Sequence, residues 1–255
     1  MKKFETRTNE RGEREKVPKD LAKKFNLNYL KLTNKTYSVG EYDLPEVVCN
    51  TEVFPDYIAG YSNPGNYHKT PYTAVGYFQY DDTFDGIHGL YNAIYYKNEK
   101  LLKEFKNRFA GVRFFIAPDY SEFGDIDTIE NLYRVKKARI VSLWLALEMD
   151  AVVIPNITFS RIEDIDYYLK GLERCTVVAF STMCYVENKI EKENLVKAVK
   201  KTVDYLDLKA IVVFDVCGDN TVVDEIFEYA RNKGIEIIVP QNVLKSRNIA
   251  RKKVV

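Results

Sequence analysis

Five short apolar runs divide the second half of the chain: Val112–Ala117, Ala151–Ile154, Thr176–Phe180, Ala210–Phe214 and Ile235–Val239. Each is followed by a small polar cluster. In order these are Pro118-Asp119-Tyr120-Ser121, Pro155-Asn156, Ser181-Thr182, Asp215-Val216-Cys217-Gly218 and Pro240-Gln241-Asn242. Between the runs, apolar positions recur at helical spacing. This spacing predicts helices over about 128–148, 162–173, 192–205 and 220–232, with Asp125, Asp127 and Asn220 as caps. Gly234 ends the last helix. An earlier strand is expected at Thr73–Tyr80, followed by helical spacing from about Phe84 to Phe109 that Gly111 stops.

Continuous apolar strands alternating with helices are the pattern of a parallel sheet covered on both faces, joined by right-handed crossovers. The expected class is α/β with parallel (β/α) repeats: an incomplete TIM-like barrel or an open parallel sheet, with Leu44–Cys49 as an additional strand. The expected divisions are a charged arm and irregular extension over 1–43, one α/β domain over 44–244 and a basic tail over 245–255. Residues 1–20 show almost no apolar periodicity and read as a disordered or loosely attached arm, with a short helix over Lys19–Phe25. Residues 27–42 read as loop with one edge strand. Residues 54–73 hold Pro55, Gly60, Pro64, Gly65 and Pro71 and read as a long irregular loop. Its tyrosines 57, 61, 67 and 72 either stack on bases or sugars or pack the loop onto the domain.

Composition adds boundaries to this picture. At 255 residues and 46% apolar, the chain can bury a substantial core. No apolar run approaches the roughly 18 residues that span a bilayer, and the charged start is unlike a signal peptide. A soluble, cytoplasmic protein is expected, with no membrane partner. Cys49, Cys175, Cys184 and Cys217 show neither a CxxC nor a ligand-like pairing with His68 or His88, so buried thiols are expected rather than zinc or disulfides. The net charge of +1 conceals basic ends. Residues 1–24 carry nine Lys and Arg against five Asp and Glu, and residues 245–255 carry five basic residues and no acid. Such ends suit a nucleic-acid backbone and are also what solvated termini look like.

The strongest pointer to chemistry is positional. Parallel strands deliver their carboxyl ends to one side, where ligands bind. Asp81, Asp82, Asp119, Ser121, Asn156, Ser181, Thr182 and Asp215 should therefore meet on one rim. Carboxylates gathered there suit acid–base work, or a hard divalent cation such as magnesium with Asn and Ser oxygens completing its shell. The bland alternative is that they are ordinary turn and capping residues. Arg134, early in its helix, could supply an anion contact, and Gly218 allows close backbone approach to a ligand. No GxGxxG, GxxxxGK[ST], GxSxG or HExxH motif is present.

Asp81-Asp82, Pro118-Asp119-Tyr120-Ser121, Asn131-Leu132-Tyr133-Arg134, Val153-Ile154-Pro155-Asn156 and Val177–Thr182 occur in this order over about residues 74–218. The series resembles a bacterial and phage family known as domain of unknown function 4417. Three details differ from that pattern: Thr158-Phe159 stands where a Trp is expected, Met183-Cys184 where a glycine is expected, and Asp215 separates Phe214 from Gly218. The resemblance implies occurrence on phages or mobile elements and brings no established activity.

Two functions are therefore carried forward. One is an enzyme acting on a nucleotide, nucleic acid or sugar-phosphate, with Asp119, Asp215 and Asp82 as catalytic carboxylates. Asp81, Ser121, Arg134, Asn156, Ser181, Thr182 and Gly218 would hold its substrate. The other is a non-catalytic protein of a mobile element that binds nucleic acid or a host protein.

Overall fold

The structure is a computed structural model and describes residues 4–8, 14–18 and 30–252. The expected helix over Lys19–Phe25 lies outside the described residues. The charged arm contains a hairpin that its lack of apolar periodicity did not announce. Strand β1 (Phe4–Thr8) pairs antiparallel with β2 (Arg14–Pro18), and the register sets Arg7 opposite Glu15. A second small hairpin follows, β3 (Ser38–Val39) with β4 (Leu44–Pro45). The strand expected over Leu44–Cys49 is thus only two residues long.

Among the described residues, seven parallel strands form the body. β5 (Tyr57–Gly60), β6 (Thr73–Gly76), β7 (Phe114–Ile116) and β8 (Val152–Ile154) make one sheet in that order. β9 (Val177–Ser181), β10 (Ala210–Phe214) and β11 (Glu236–Ile238) make another, with β10 central. The five strands predicted from the apolar runs all form, within one or two residues of their expected ends.

β5 is the one strand of this body that was missed, since it lies inside the stretch read as loop. Its four residues Tyr-Ile-Ala-Gly are too few to show a period among so many Pro and Gly breakers. Of the four tyrosines considered for base stacking, three pack into the domain and Tyr72 is 41% exposed. Tyr57, Tyr61 and Tyr67 are buried core residues, and Tyr67 Oη donates to Tyr61 O at 2.5 Å.

Hydrogen bonds join the two sheets at both edges. On one side Ile157 N–H donates to Ala179 O at 2.9 Å and Ala179 N–H to Pro155 O at 2.7 Å. On the other, Ile58 N–H donates to Gln241 O at 2.8 Å and Gln241 N–H to Asp56 O at 2.9 Å. The connectivity is that of a ring of parallel strands in sequence order. It has seven members where a TIM barrel has eight, and it favours the barrel-like alternative over a single open sheet.

The strand sequences explain the ring. β7, β9 and β10 are buried along their whole length, as strands covered on both faces must be. In β5–β8 alternate residues serve two cores. Ile58, Ala74, Phe114, Ile116 and Ile154 pack with β9 and β10, while Tyr57, Ala59, Val75, Phe115 and Val153 pack under the helices. Inside, the rings of Phe78 and Phe214 lie parallel, with centroids 4.1 Å apart, and bring the ends of β6 and β10 together.

The single helical region expected over 84–109 is broken into Asp81–Phe84, Leu90–Tyr95 and Glu99–Arg108. Lys97 takes a left-handed φ of 52°, and Asn98 restarts the chain by accepting Leu101 N–H. Helix Thr128–Met149 runs as predicted, as does Lys189–Tyr205, which starts three residues early. Asp219, not Asn220, caps the helix after β10, accepting Thr221 N–H at 2.9 Å. Asn188 caps Lys189–Tyr205 through Ile190 N–H at 2.8 Å. Replacing Asn188 by alanine is expected to cost about 1 kcal/mol, read from the urea midpoint.

The boundary drawn at residue 245 falls inside a helix, Val243–Lys252. Its Lys245 is only 5% exposed, so the expected tail begins as part of the fold. No helix among the described residues is long and apolar enough to cross a membrane.

Candidate functional site

A cavity of about 310 Å³ opens at the carboxyl ends of β6, β7, β8 and β9, the side that strand polarity singles out. Of the expected residues, Asp119, Ser121, Asn156 and Ser181 line it together. Each follows a buried strand, so the apolar run fixes the backbone while the polar residue is delivered to the rim. Glu122 and Thr158 also line the cavity, as do the aromatic rings of Phe78, Tyr80, Phe123, Phe159 and Tyr185.

Asp119 is half-buried, and its surroundings are arranged on one side only. Asn156 Nδ2 donates to its Oδ1 at 2.9 Å, while no described residue hydrogen-bonds to Oδ2. Burial, and secondarily the charge of Asp81, push the Asp119 carboxyl up to about 7, against the pull of the Asn156 hydrogen bond. Glu122 is shifted further. Burial drives it up to about 8, opposed by the Thr158 hydroxyl that donates to Oε1 at 2.6 Å and reinforced by Asp119. Glu122 Oε2 and Asn156 Oδ1 are both buried without a hydrogen-bond partner.

Asp81 supports the rim from behind. Its Oδ1 accepts the Ser121 N–H at 3.0 Å and the Ser121 hydroxyl at 3.1 Å, and Arg134 pairs with Oδ2 at 3.3 Å. Arg134 also lies over the Phe123 ring, 5.3 Å from its centroid. Its observed contacts are thus to Asp81 and Phe123, and it does not line the cavity. Asp82, the adjacent acid, is exposed, and its neighbour Thr83 donates to it at 3.4 Å; it does not line the cavity either. Ser181 Oγ accepts Met183 N–H at 3.0 Å and so shapes the turn after β9.

Asp215, Thr182 and Gly218 are not part of this cavity. Asp215 is fully buried and forms an ion pair with Lys245 at 2.9 Å. Thr182 Oγ1 donates to Asp215 Oδ1 at 3.1 Å, as does Cys217 N–H at 2.8 Å, and Asn242 Nδ2 donates to Asp215 O at 2.8 Å. This second cluster fastens the C-terminal helix to the end of β10. Burial holds the neighbouring Cys217 thiol up at about 11, so it stays protonated.

Sequence reading therefore found one carboxyl of the cavity and missed the other. Glu122 stands one residue beyond the Pro118–Ser121 cluster, and an acid outside the first turn after a strand carries no signal of its own. Lys245 was hidden for the opposite reason, since it sits at the head of a run of basic residues that reads as solvated. Among the described residues, no three His, Cys, Asp or Glu side chains gather where they could hold a metal ion.

A family model described as "Domain of unknown function (DUF4417)" matches residues 36–230, and the chain belongs to that family. The match extends past both ends of the stretch on which the resemblance rested. No curated protein and no solved structure matches the chain.

Proposed function

We propose that this member of the DUF4417 family is an enzyme that works by general acid–base catalysis at the strand-end cavity, on a nucleotide, nucleic acid or sugar-phosphate. Asp119 is the acid and base. One observation carries the reading: a carboxyl pushed up to about 7 whose Oδ1 is held by Asn156 and whose Oδ2 has no hydrogen bond among the described residues. A group that is half protonated near neutral pH can both give and take a proton, which an ordinary surface carboxylate at about 4 cannot do efficiently. Asp81, tied to Ser121 and Arg134, is a positioning residue that keeps a negative charge near Asp119. Asn156 fixes the rotation of the Asp119 carboxyl. Asp215 leaves the catalytic set, because its ion pair with Lys245 already accounts for its charge. Occurrence on phages or mobile elements remains part of the same proposal.

The alternative, a nucleic-acid-binding protein of a mobile element, draws less support. Three of its four stacking tyrosines, Tyr57, Tyr61 and Tyr67, are core residues, and Lys245 is committed to Asp215.

The acid–base reading predicts a pH–rate profile for whichever nucleotide or sugar-phosphate is turned over, with one ionisation near pH 7. A rate that does not vary between pH 5 and 9 would contradict it.

A further inference from the structure

Glu122 is a half-buried titratable group, with its Oε2 enclosed, that the acid–base reading leaves without a role. Its Oε2 and the Asn156 Oδ1 are buried acceptors without a hydrogen-bond partner among the described residues, on two side chains that line the cavity beside Asp119. Leaving buried acceptors unpaired is unfavourable, and a ligand that brings two N–H donors relieves both. The other walls are flat and aromatic. Tyr80 and Phe123 line the cavity while 82% and 46% exposed, which leaves ring surface available for stacking. Phe159 and Tyr185 stack on each other at 5.3 Å. Among the described residues no Lys, Arg or His lines the cavity, so none of them neutralises a phosphate inside it. A volume of about 310 Å³ suits a small ring compound rather than a polymer segment.

We infer that the cavity receives an amino-substituted nucleobase, whose exocyclic amino group donates one N–H to Glu122 Oε2 and the other to Asn156 Oδ1. The ring stacks on the aromatic wall, and any phosphate of the same molecule lies outside the cavity. The inference rests on the proposed function in placing the substrate here, and it narrows that substrate to a base-bearing molecule. A base with oxygen in place of the amino group sets an acceptor against two acceptors. The site rejects it unless Glu122 carries a proton to donate. Discrimination is therefore sharpest above the Glu122 ionisation at about 8 and weaker below it.

The experiment is calorimetric titration of the full chain with adenosine, inosine, cytidine and uridine at pH 6 and pH 9. Adenosine or cytidine should bind about ten-fold or more tightly than its oxo counterpart at pH 9, with a smaller gap at pH 6. Glu122→Gln carries an amide that can turn to donate or accept, so it should bind both members of the pair with nearly equal affinity at both pH values. Its melting temperature, measured alongside, confirms that it is folded. Equal affinities for amino and oxo partners at pH 9 in the wild type overturn the inference. So does a gap that survives Glu122→Gln, and so does failure of every nucleoside to bind. If a sugar-phosphate is turned over with an ionisation near pH 7 while no nucleoside binds, the base-binding inference falls and the acid–base reading stands.

Discussion

Asp119→Asn lowers turnover by about 10²–10⁴-fold, the usual contribution of a positioned proton donor and acceptor. Asparagine keeps the size of the side chain and can still receive the Asn156 amide, so the wall of the cavity is preserved while the exchangeable proton is lost. The stability of this variant moves the other way. The folded Asp119 carboxyl ionises near 7, whereas the unfolded one ionises near 4. The folded state therefore holds a proton that the unfolded chain has already released. Native stability falls as pH rises between those two values, and the loss is complete above about 7. Asparagine has no such penalty. Thermal melts at pH 8 should show Asp119→Asn at least as stable as the wild type, and equal stability at pH 3.5. An inactive variant that also melts early at pH 8 would point to damage rather than to a lost proton.

Lys245→Ala should destabilise the chain by about 3–5 kcal/mol, because it leaves the fully buried Asp215 without its counter-charge. The Thr182 hydroxyl and Cys217 N–H still reach Asp215, but neutral donors do not compensate a buried anion. Changing both partners, Asp215→Asn with Lys245→Met, should recover much of the loss, since the unpaired charge is then removed. Urea denaturation of the two variants decides the point. A small effect of Lys245→Ala, below about 1 kcal/mol, would mean that the pair is open to water in solution.

The sequence displayed its architecture where burial is uniform. β9 and β10 could be read from Thr176–Phe180 and Ala210–Phe214 because every residue in them is buried, and an apolar run that short between polar clusters suits a covered strand better than a helix. β5 was unreadable because only its partner β6 and the far edge at Gln241 make a strand of four residues amid prolines and glycines. The site was legible by position and illegible by role. Asp119, Ser121, Asn156 and Ser181 follow strands and do converge. Asp215 follows a strand equally well, yet a lysine thirty residues on turns it into an anchor for the last helix. Whether a strand-end carboxylate works or holds depends on its neighbours across the ring, and local sequence does not name them. Glu122 shows the converse, a carboxyl with no local signature that burial makes chemically unusual.

The central claim is that two carboxyls in one cavity keep their protons into the neutral range. Carbon-13 NMR of the side-chain carboxyls, assigned with Asp119→Asn and Glu122→Gln, measures this directly. The predicted midpoints are about 7 for Asp119 and about 8 for Glu122. Midpoints near 4 for both would contradict the claim.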